Sequence, residues 1–411
     1  MDRNSRTLSC SRVQRQGTMS KAAETNLFSF LLICQTYPPV IGGSEIEAQR
    51  VCSALIRRGH HVTVVCAGGN PMPPFLDWID PQGVPVRMYA GRWEGTLRDV
   101  VFALRVAMML IWERRNYQFV YFLMQGLHLA VGLPVARLVK KPILMKIAGS
   151  GVVPQVYSSR IGRQELRWLS RWAKTILILN EDMRQEAIDH GISPHKLVWM
   201  PNPVDTKEFS PATKDEQHEL RTTLGIPETA LVVLYSGRLA PEKALPTLLS
   251  AFALVLKDVP DALLVLVGDG AVRLALIEQA KQLGLSEETI RFTGRVDPQS
   301  VCLWLKIATV FALVSPSEGF PCALEEAMSA GIPSVVSDIP ANRQLVKNGL
   351  HGILTPVGDI EKIAESIVRL LQDAPLRRRM GEAAREHIAA NYSTSHIVDR
   401  YEVLFREILT K

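Results

Sequence analysis

The chain has 411 residues, of which 47% are hydrophobic and 21% are charged, as in ordinary globular proteins. This composition excludes disordered, collagen-like and coiled-coil chains, and the length predicts two or three domains. The net charge of +6 is uneven: residues 1–210 carry 26 Lys and Arg against 16 Asp and Glu, and the remainder carries 21 against 25. A basic front half and a mildly acidic back half predict two domains with different partners.

An anionic membrane surface or a phosphorylated ligand would suit the basic front half. The chain has no basic and aromatic motif typical of nucleic-acid readers, so we expect no nucleic-acid partner. Six scattered cysteines without a C-x-x-C pair predict a reduced, cytoplasmic protein. The polar, Arg-rich start predicts a disordered extension over residues 1–25 rather than a secretory signal. No apolar run reaches about 18 residues, the length of a membrane-spanning helix.

Apolar, strand-like runs alternate with segments of helical spacing along the front half. The predicted strands are 27–34, 61–66, 119–123, 143–147 and 175–179, and the predicted helices are 44–58, 97–114, 127–139 and 181–190. Near-continuous apolar strands between helices predict a parallel sheet covered on both faces.

A Pro-rich connection over 200–211 separates the two halves, and the same alternation then restarts. The predicted strands there are 231–235, 263–267, 290–293, 310–314 and 334–336, and the helices are 245–257, 272–283, 298–305, 323–330 and 359–371. The fold class is therefore α/β, with two doubly wound domains over 26–205 and 206–394. Ligands of such sheets bind beyond the carboxyl ends of the strands, so the cleft between the domains is the expected site.

The first strand of the back half leads into a loop with Gly237, Arg238 and Lys243. Two cations beside a helix N-terminus suit a diphosphate, or else they are solvated surface charges. Glycines in the next loops let the backbone approach a ligand closely or simply form tight turns. The residues singled out in those loops are Gly268, Gly270, Arg295 and Val296.

The most informative loop runs over 315–327 and contains two carboxylates around a helix start, Glu318 and Glu326. Carboxylates accept hydrogen bonds from sugar and ribose hydroxyls, and the amides of a first helical turn receive phosphate or sugar oxygens. The alternative is that Glu318 complements the helix dipole and that Glu326 is solvated.

These motifs, taken in order, resemble the retaining glycosyltransferases of the GT-B fold called family 4, the glycogen-synthase-like group. The family's hallmark is a pair of Glu residues separated by seven others, as Glu318 and Glu326 are. Further segments that resemble the family are 38–43, 201–205, 237–243, 268–270 and 331–338.

The resemblance implies two Rossmann-like domains across a deep cleft, with a terminal helix over 395–411 crossing back to the front domain. It implies transfer from a nucleoside-diphosphate sugar to a hydroxyl of a polysaccharide, lipid-linked or small-molecule acceptor, with retention, no cofactor and no enzyme nucleophile. By resemblance Arg238 and Lys243 stabilise the leaving diphosphate and Glu326 binds the ribose. By the same resemblance, Gly237, Gly268 and Gly270 belong to the donor site, and Arg295 and Val296 lie near the base. The donor sugar is held by the residues of the most informative loop, which are Glu318, Gly319, Phe320, Pro321, Cys322, Ala323 and Leu324.

On the acceptor side, the resemblance places Gly42 and Gly43 where the front domain closes. Many members carry a His after the strand over 143–147, where this chain has Lys146 followed by Gly149, Ser150 and Gly151. We expect Ser150 or the backbone of 149–151 to take that place. His128 either approaches the cleft or is a structural core histidine.

Other functions have sequence requirements that this chain meets less well than those of glycosyl transfer. An NAD-dependent oxidoreductase needs Gly-x-Gly-x-x-Gly, and both Gly-x-Gly segments lack the third glycine. A P-loop nucleoside triphosphatase is excluded because no Gly-x-x-x-x-Gly-Lys occurs. A non-catalytic nucleotide-sugar-binding protein, a phosphorylase and a sucrose-type synthase remain alternatives. We expect no metal, since the chain has no Asp-x-Asp and no clustered His and Cys ligands.

Two basic and apolar segments of the front half predict either ordinary surface helices or a peripheral membrane contact. Residues 97–115 combine apolar positions with four arginines, which favours a helix that faces the core over one that lies on an anionic membrane. Residues 160–172 carry four arginines at helical spacing, typical of a solvated face or of an acceptor or membrane contact.

Overall fold

The computed structural model describes residues 27–39, 42–68, 75–89, 95–123, 126–147 and 149–410. The extension predicted over residues 1–25 lies outside these described residues. The described chain forms two α/β domains, each built on one sheet.

The front sheet has eight strands in the order β3-β4-β2-β1-β5-β6-β7-β8. Neighbouring strands run parallel except β3 and β4, which pair antiparallel at one edge. The strands are β1 (Ser29–Cys34), β2 (His61–Cys66), β3 (Leu76–Ile79), β4 (Pro85–Met88), β5 (Phe119–Leu123), β6 (Ile143–Lys146), β7 (Thr175–Ile178) and β8 (Leu197–Trp199). The helices are α1 (Gly43–Arg57), α2 (Gly95–Trp112), α3 (Leu127–Leu138), α4 (Val152–Tyr157), α5 (Arg160–Trp172) and α6 (Glu181–Asp189).

The back sheet has six parallel strands in the order β11-β10-β9-β12-β13-β14. The strands are β9 (Leu231–Ser236), β10 (Ala262–Val267), β11 (Ile290–Gly294), β12 (Val310–Leu313), β13 (Ser334–Ser337) and β14 (Gly352–Thr355). The helices are α7 (Lys214–Leu224), α8 (Leu245–Asp258), α9 (Arg273–Gln282), α10 (Val301–Lys306), α11 (Cys322–Ser329), α12 (Pro340–Leu345), α13 (Ile360–Gln372), α14 (Ala374–Asn391) and α15 (Thr394–Thr410). Both domains bury nearly continuous apolar strands between helices, as a parallel sheet requires.

The last helix, α15, packs on the front domain rather than on the back domain that precedes it. The Phe405 ring lies 5.1 Å from the ring of Phe30 and 4.8 Å from that of Phe119, both in the front sheet. The two connections between the domains also pair side by side, because the Val204 N–H donates to the Tyr392 carbonyl and the Thr394 N–H donates to the Val204 carbonyl. The domains are therefore joined by two adjacent chain crossings.

Helix α2 has apolar residues on two faces, whereas the sequence favoured a stripe that faces the core. Its inner face buries Phe102, Val106 and Met109 in the front core. A second stripe points outward and consists of Leu97, Val100, Leu104, Met108, Ile111 and Trp112. In the part of the chain that the structure describes, no helix is long and apolar enough to cross a membrane.

Candidate active site at the domain interface

The loop after β9 places Arg238 and Lys243 differently. The Arg238 guanidinium is largely exposed and donates to Glu242 Oε1 at 2.8 Å. Lys243 lies in a short 3₁₀ turn and points to the loop after β12, where Nζ is 2.8 Å from each carboxylate oxygen of Glu318. The Glu318 side chain is 8% exposed and that of Lys243 is 20% exposed. The structure thus joins two residues that are 75 positions apart in sequence.

Gly268 and Gly270 are required by contact between neighbouring loops. A Cβ at Gly268 would lie 2.0 Å from the Gly237 carbonyl oxygen, and one at Gly270 would lie 2.2 Å from the Leu239 carbonyl oxygen. The Leu239 N–H also donates to the Asp269 carbonyl at 3.0 Å. The loops after β9 and β10 therefore support each other, which fixes the backbone on which Arg238 and Lys243 stand.

The segment over residues 318–326, which contains both predicted carboxylates, lies against the front domain. The Asn180 amide, at the carboxyl end of β7, donates to the Gly319 carbonyl at 2.7 Å. The same amide donates to Ser150 Oγ at 3.2 Å, and Ser150 Oγ donates to the Glu318 carbonyl at 3.5 Å. Ser150, predicted for the acceptor side, is thus in contact with the backbone of the predicted donor loop.

A second contact to this segment comes from the connection between the domains. The Asn202 amide donates to Cys322 Sγ at 3.3 Å, and Asn202 Oδ1 accepts from Lys146 Nζ at 2.8 Å. Lys146 also donates to Glu47 Oε1 at 2.6 Å, and both charged side chains are almost completely buried. Lys146 is the last residue of β6, and its ammonium is committed to this internal pair.

Glu326 contacts the front domain through a third interaction. Its Oε1 accepts a hydrogen bond from Arg50 Nη2 on α1 at 2.9 Å. Burial raises the pKa of Glu326, and the Arg50 guanidinium opposes that rise. The neighbouring Glu325 is fully buried, and no residue that the structure describes donates a hydrogen bond to either of its carboxylate oxygens; burial raises its pKa far above the ordinary value.

The start of α11 lies within this segment. The Cys322 N–H donates to the Phe320 carbonyl and the Leu324 N–H donates to the Pro321 carbonyl, each at 3.0 Å. Two of the amides predicted to receive the sugar therefore already have backbone partners. Burial raises the pKa of the Cys322 thiol to about 12, so this thiol stays neutral.

The remaining predicted site residues differ in their burial and in the groups that they contact. A Cβ at Gly43 would be 3.7 Å from Cys322 Sγ, so this glycine faces the segment, whereas Gly42 leaves room for the Glu45 side chain. Ala323 is half-buried on α11, Val296 is half-buried against the back core and Arg295 is exposed. Gly149 is half-buried, and the Gly151 N–H donates to both Glu186 carboxylate oxygens at 2.9 Å.

His128 is buried in the front core rather than at the cleft. It is 1% exposed and its ring lies 5.1 Å from that of Phe102. Among the described residues, neither ring nitrogen has a hydrogen-bond partner, and burial lowers the pKa of His128 to about 4. A neutral, enclosed imidazole fits the structural alternative that the sequence left open.

Sequence reasoning missed Arg50 and Asn180 as site residues. Asn180 lies two residues after the end of β7 and caps α6 by accepting from the Met183 N–H at 2.8 Å, so the rule that sites lie at carboxyl strand ends would have found it. Arg50 has no such signal, because its partner Glu326 is 276 positions away.

Family comparisons cover both domains. Residues 216–387 match the model described as glycosyl transferases group 1, and residues 42–203 match the one described as a glycosyl transferase 4-like domain. The chain belongs to the group 1 glycosyl transferases. The predicted family is thereby confirmed, and the enzyme is a hexosyltransferase.

Individual relatives and a solved structure agree with this assignment. N-acetyl-alpha-D-glucosaminyl L-malate synthase of Bacillus anthracis is 24% identical over 377 residues, which are 90% of this chain and 95% of the relative. UDP-Gal:alpha-D-GlcNAc-diphosphoundecaprenol alpha-1,3-galactosyltransferase of Escherichia coli is 30% identical over 252 residues, 59% of this chain and 64% of that one. The Anabaena protein HepE, solved in complex with UDP and glucose, superposes with a TM-score of 0.77 at 20% identity, over 92% of this chain and 99% of that chain. The predicted GT-B fold is confirmed.

Proposed function

We propose that this glycosyltransferase moves a sugar from a nucleoside-diphosphate sugar to an acceptor hydroxyl, with retention of configuration and without a metal ion. The observation that carries the proposal is the pairing of Lys243 with Glu318, on a segment that also contains the Glu326 carboxylate and contacts the other domain. A sugar nucleotide needs a cation at its diphosphate and carboxylates at its sugar and ribose hydroxyls. The named ligands of HepE, UDP and glucose, support a donor of this class.

Lys243 and Glu318 would act on opposite sides of the bond that breaks. An ammonium has three donors, so Lys243 can keep a contact to Glu318 while it donates to a diphosphate oxygen. The exposed Arg238 can turn toward the same diphosphate, and the two cations would stabilise the charge that develops on the leaving group. They supply the positive charge that a metal ion provides in other transferases.

Retention follows if the acceptor hydroxyl attacks from the face that the diphosphate leaves. In that reaction the bond from the sugar to the diphosphate breaks, the bond from the sugar to the acceptor oxygen forms, and the departing phosphate oxygen takes the acceptor proton. No enzyme nucleophile is involved, so the residues bind, orient and exclude water.

The test measures diphosphate release from UDP-, GDP- and ADP-sugars with a panel of glycan, lipid-linked and small-molecule acceptors, with and without EDTA. Lys243→Met and Glu318→Gln are each expected to lower kcat by about a hundredfold or more, because they remove charge stabilisation and sugar contacts. The control Lys257→Met alters an exposed lysine of the same domain and should retain turnover. Proton NMR of the product reads the anomer. Full turnover by Lys243→Met would refute the role of Lys243, an inverted product would refute retention, and loss of activity in EDTA would refute metal independence. Binding without turnover would favour a non-catalytic protein.

We also propose that the front domain docks on an anionic membrane at the cytoplasmic face, where a lipid-linked acceptor would reside. The outward stripe of α2 supports this, because Leu97, Leu104 and Trp112 are 57%, 55% and 76% exposed on one helix. Contiguous exposed apolar residues of this size mark interaction surfaces. The relative from E. coli is named for an acceptor linked to diphosphoundecaprenol.

Basic residues lie on a second helix of the same layer. Helix α2 packs against α3 and α3 packs against α5, so the outward faces of the three helices share one layer of the front domain. Helix α5 has Trp168 and Trp172 stacked at 5.4 Å beside its arginines, which are Arg160, Arg163, Arg167 and Arg171. Apolar side chains flanked by arginines suit the interface of a bilayer with anionic lipids.

Vesicle sedimentation tests the docking. Vesicles of phosphatidylcholine with phosphatidylglycerol should retain the protein at low salt, vesicles of phosphatidylcholine alone should retain much less, and Leu104→Glu should release it. The control Val403→Glu places the same charge on an exposed position of α15 and should bind as the wild type does. Equal retention of Leu104→Glu would refute the docking, and a change of oligomeric state in Leu104→Glu without vesicles would assign the stripe to contact between two copies.

A further inference from the structure

Glu326 is held by a residue of the opposite domain. Arg50 leaves α1, donates to Glu326 Oε1 at 2.9 Å and has a side chain that is only 17% exposed. The guanidinium also lies 5.3 Å from the centre of the Phe209 ring and 4.0 Å from Glu208 Oε2 in the connection between the domains. Arg50 is therefore held by two residues of the connection as well as by the carboxylate.

The charges around Glu326 make this contact important. Glu208 and Glu325 are acidic neighbours, and the thiol of Cys322 is nearby. Burial raises the pKa of Glu326, and Arg50 lowers it. A carboxylate with such neighbours keeps its charge and its orientation through the guanidinium, since removing a partner leaves a buried charge without compensation.

The pair leaves room for a ligand. Arg50 bonds to Oε1, and a carboxylate has about four lone-pair sites for hydrogen bonds. Glu326 can thus accept from a ribose hydroxyl while Arg50 holds the first oxygen. Because Arg50 and Glu326 come from different domains, this arrangement exists only when the domains face each other.

We propose that Arg50 is a positioning residue for the donor ribose: it orients the Glu326 carboxylate, so that the front domain completes the ribose site of the back domain. This inference rests on the proposed nucleotide-sugar donor. It goes further because it assigns donor recognition to a residue of the domain that faces the acceptor, and it makes ribose recognition dependent on domain closure.

The experiment compares ligands that differ only in the ribose. UDP, GDP and ADP are each titrated by calorimetry beside their 2′,3′-dideoxy counterparts, into the wild type, Arg50→Met, Arg50→Lys and Arg57→Met. Arg57 is an exposed residue of the same helix and provides the matched control. For the nucleotide that binds, the wild type should prefer the ribose form by about tenfold to a hundredfold, as a hydrogen bond to a charged group predicts.

Arg50→Met should bring that preference close to one and leave the affinity for the dideoxy form unchanged. Arg50→Lys should restore part of the preference, and Arg57→Met should match the wild type. An equal loss of affinity for the ribose and dideoxy forms would assign Arg50 to folding or domain closure alone. An unchanged preference for the ribose form would show that Arg50 has no role in ribose recognition. Either result overturns the inference while the donor proposal stands. A wild type that binds none of the nucleotides would overturn the proposed function and this inference with it.

Discussion

Lys146 provides a quantitative test of how the front domain supports the site. Its ammonium lies 2.6 Å from Glu47 Oε1 and 2.8 Å from Asn202 Oδ1, and the exposed fractions of the Lys146 and Glu47 side chains are 1% and 4%. In Lys146→Met the Glu47 carboxylate would keep a 3.4 Å hydrogen bond from the Tyr401 hydroxyl but lose its cation. A buried charge left without its partner costs about 3–5 kcal/mol.

The double variant separates charge from packing. Replacing a buried ion pair by apolar side chains of similar volume is often close to neutral, so Lys146→Met with Glu47→Leu should cost only about 1–2 kcal/mol, mainly because Asn202 Oδ1 loses its donor. The double variant should therefore be about 2–3 kcal/mol more stable than Lys146→Met alone. The control Lys174→Met, at an exposed lysine, should change the free energy of unfolding by no more than about 0.5 kcal/mol.

Urea denaturation followed by tryptophan fluorescence gives the measurement. Six of the seven tryptophans precede residue 205, so the signal reports mainly on the front domain. The reasoning would be refuted if Lys146→Met were no less stable than Lys174→Met. It would also be refuted if the double variant were as unstable as Lys146→Met, because the cost would then come from packing rather than from an unpaired carboxylate.

Three further predictions concern groups outside the ion pair. Burial raises the pKa of Glu165 from 4.5 to about 7, so stability should fall as pH rises through that interval, and urea titrations of Glu165→Gln should lack about 3 kcal/mol of this decline. The lowered pKa of His128 predicts the opposite slope: stability should be lost as pH falls from about 6.5 to about 4, and acid denaturation of His128→Leu should lack that loss. Gly270→Ala should push the Leu239 carbonyl aside and weaken nucleotide binding in calorimetry, whereas Gly284→Ala, which has open space, should bind normally despite its strained backbone.

The secondary structure could be predicted where buried apolar runs define it. Strand β2 was predicted with its observed bounds, and the sheet strands that contact the site were found within a residue or two at their ends. Helix α7 was missed because most of its side chains are polar and none is fully buried, although Thr213 and Glu216 form a capping box at its start. The short strands β3, β4, β8 and β14 were missed because three or four residues carry too little periodicity to distinguish them from loops.

The residue types of the site could be proposed from the sequence, but their pairing could not. The spacing of Glu318 and Glu326 drew attention to one segment, yet no sequence pattern indicates that Lys243 meets the first and Arg50 meets the second. Such contacts depend on how two sheets and a connection bring distant segments together. The burial of Glu325 depends on the same geometry, because the residues next to it in sequence would be the same if it were exposed.

The free-energy cost of separating the domains can be estimated from the residues that form hydrogen bonds with the segment 318–326. Asn180, Asn202 and Arg50 all approach it from outside the back domain, and they bond to the Gly319 carbonyl, the Cys322 thiol and the Glu326 carboxylate. At about 0.5–1.5 kcal/mol for each net hydrogen bond, with the charged one at the upper end, separation would forfeit about 2–4 kcal/mol. A bound ligand, or water at the same groups, can readily compensate a free-energy cost of this magnitude. The segment that the sequence predicts to be the donor site is therefore also the surface that forms hydrogen bonds with residues outside the back domain.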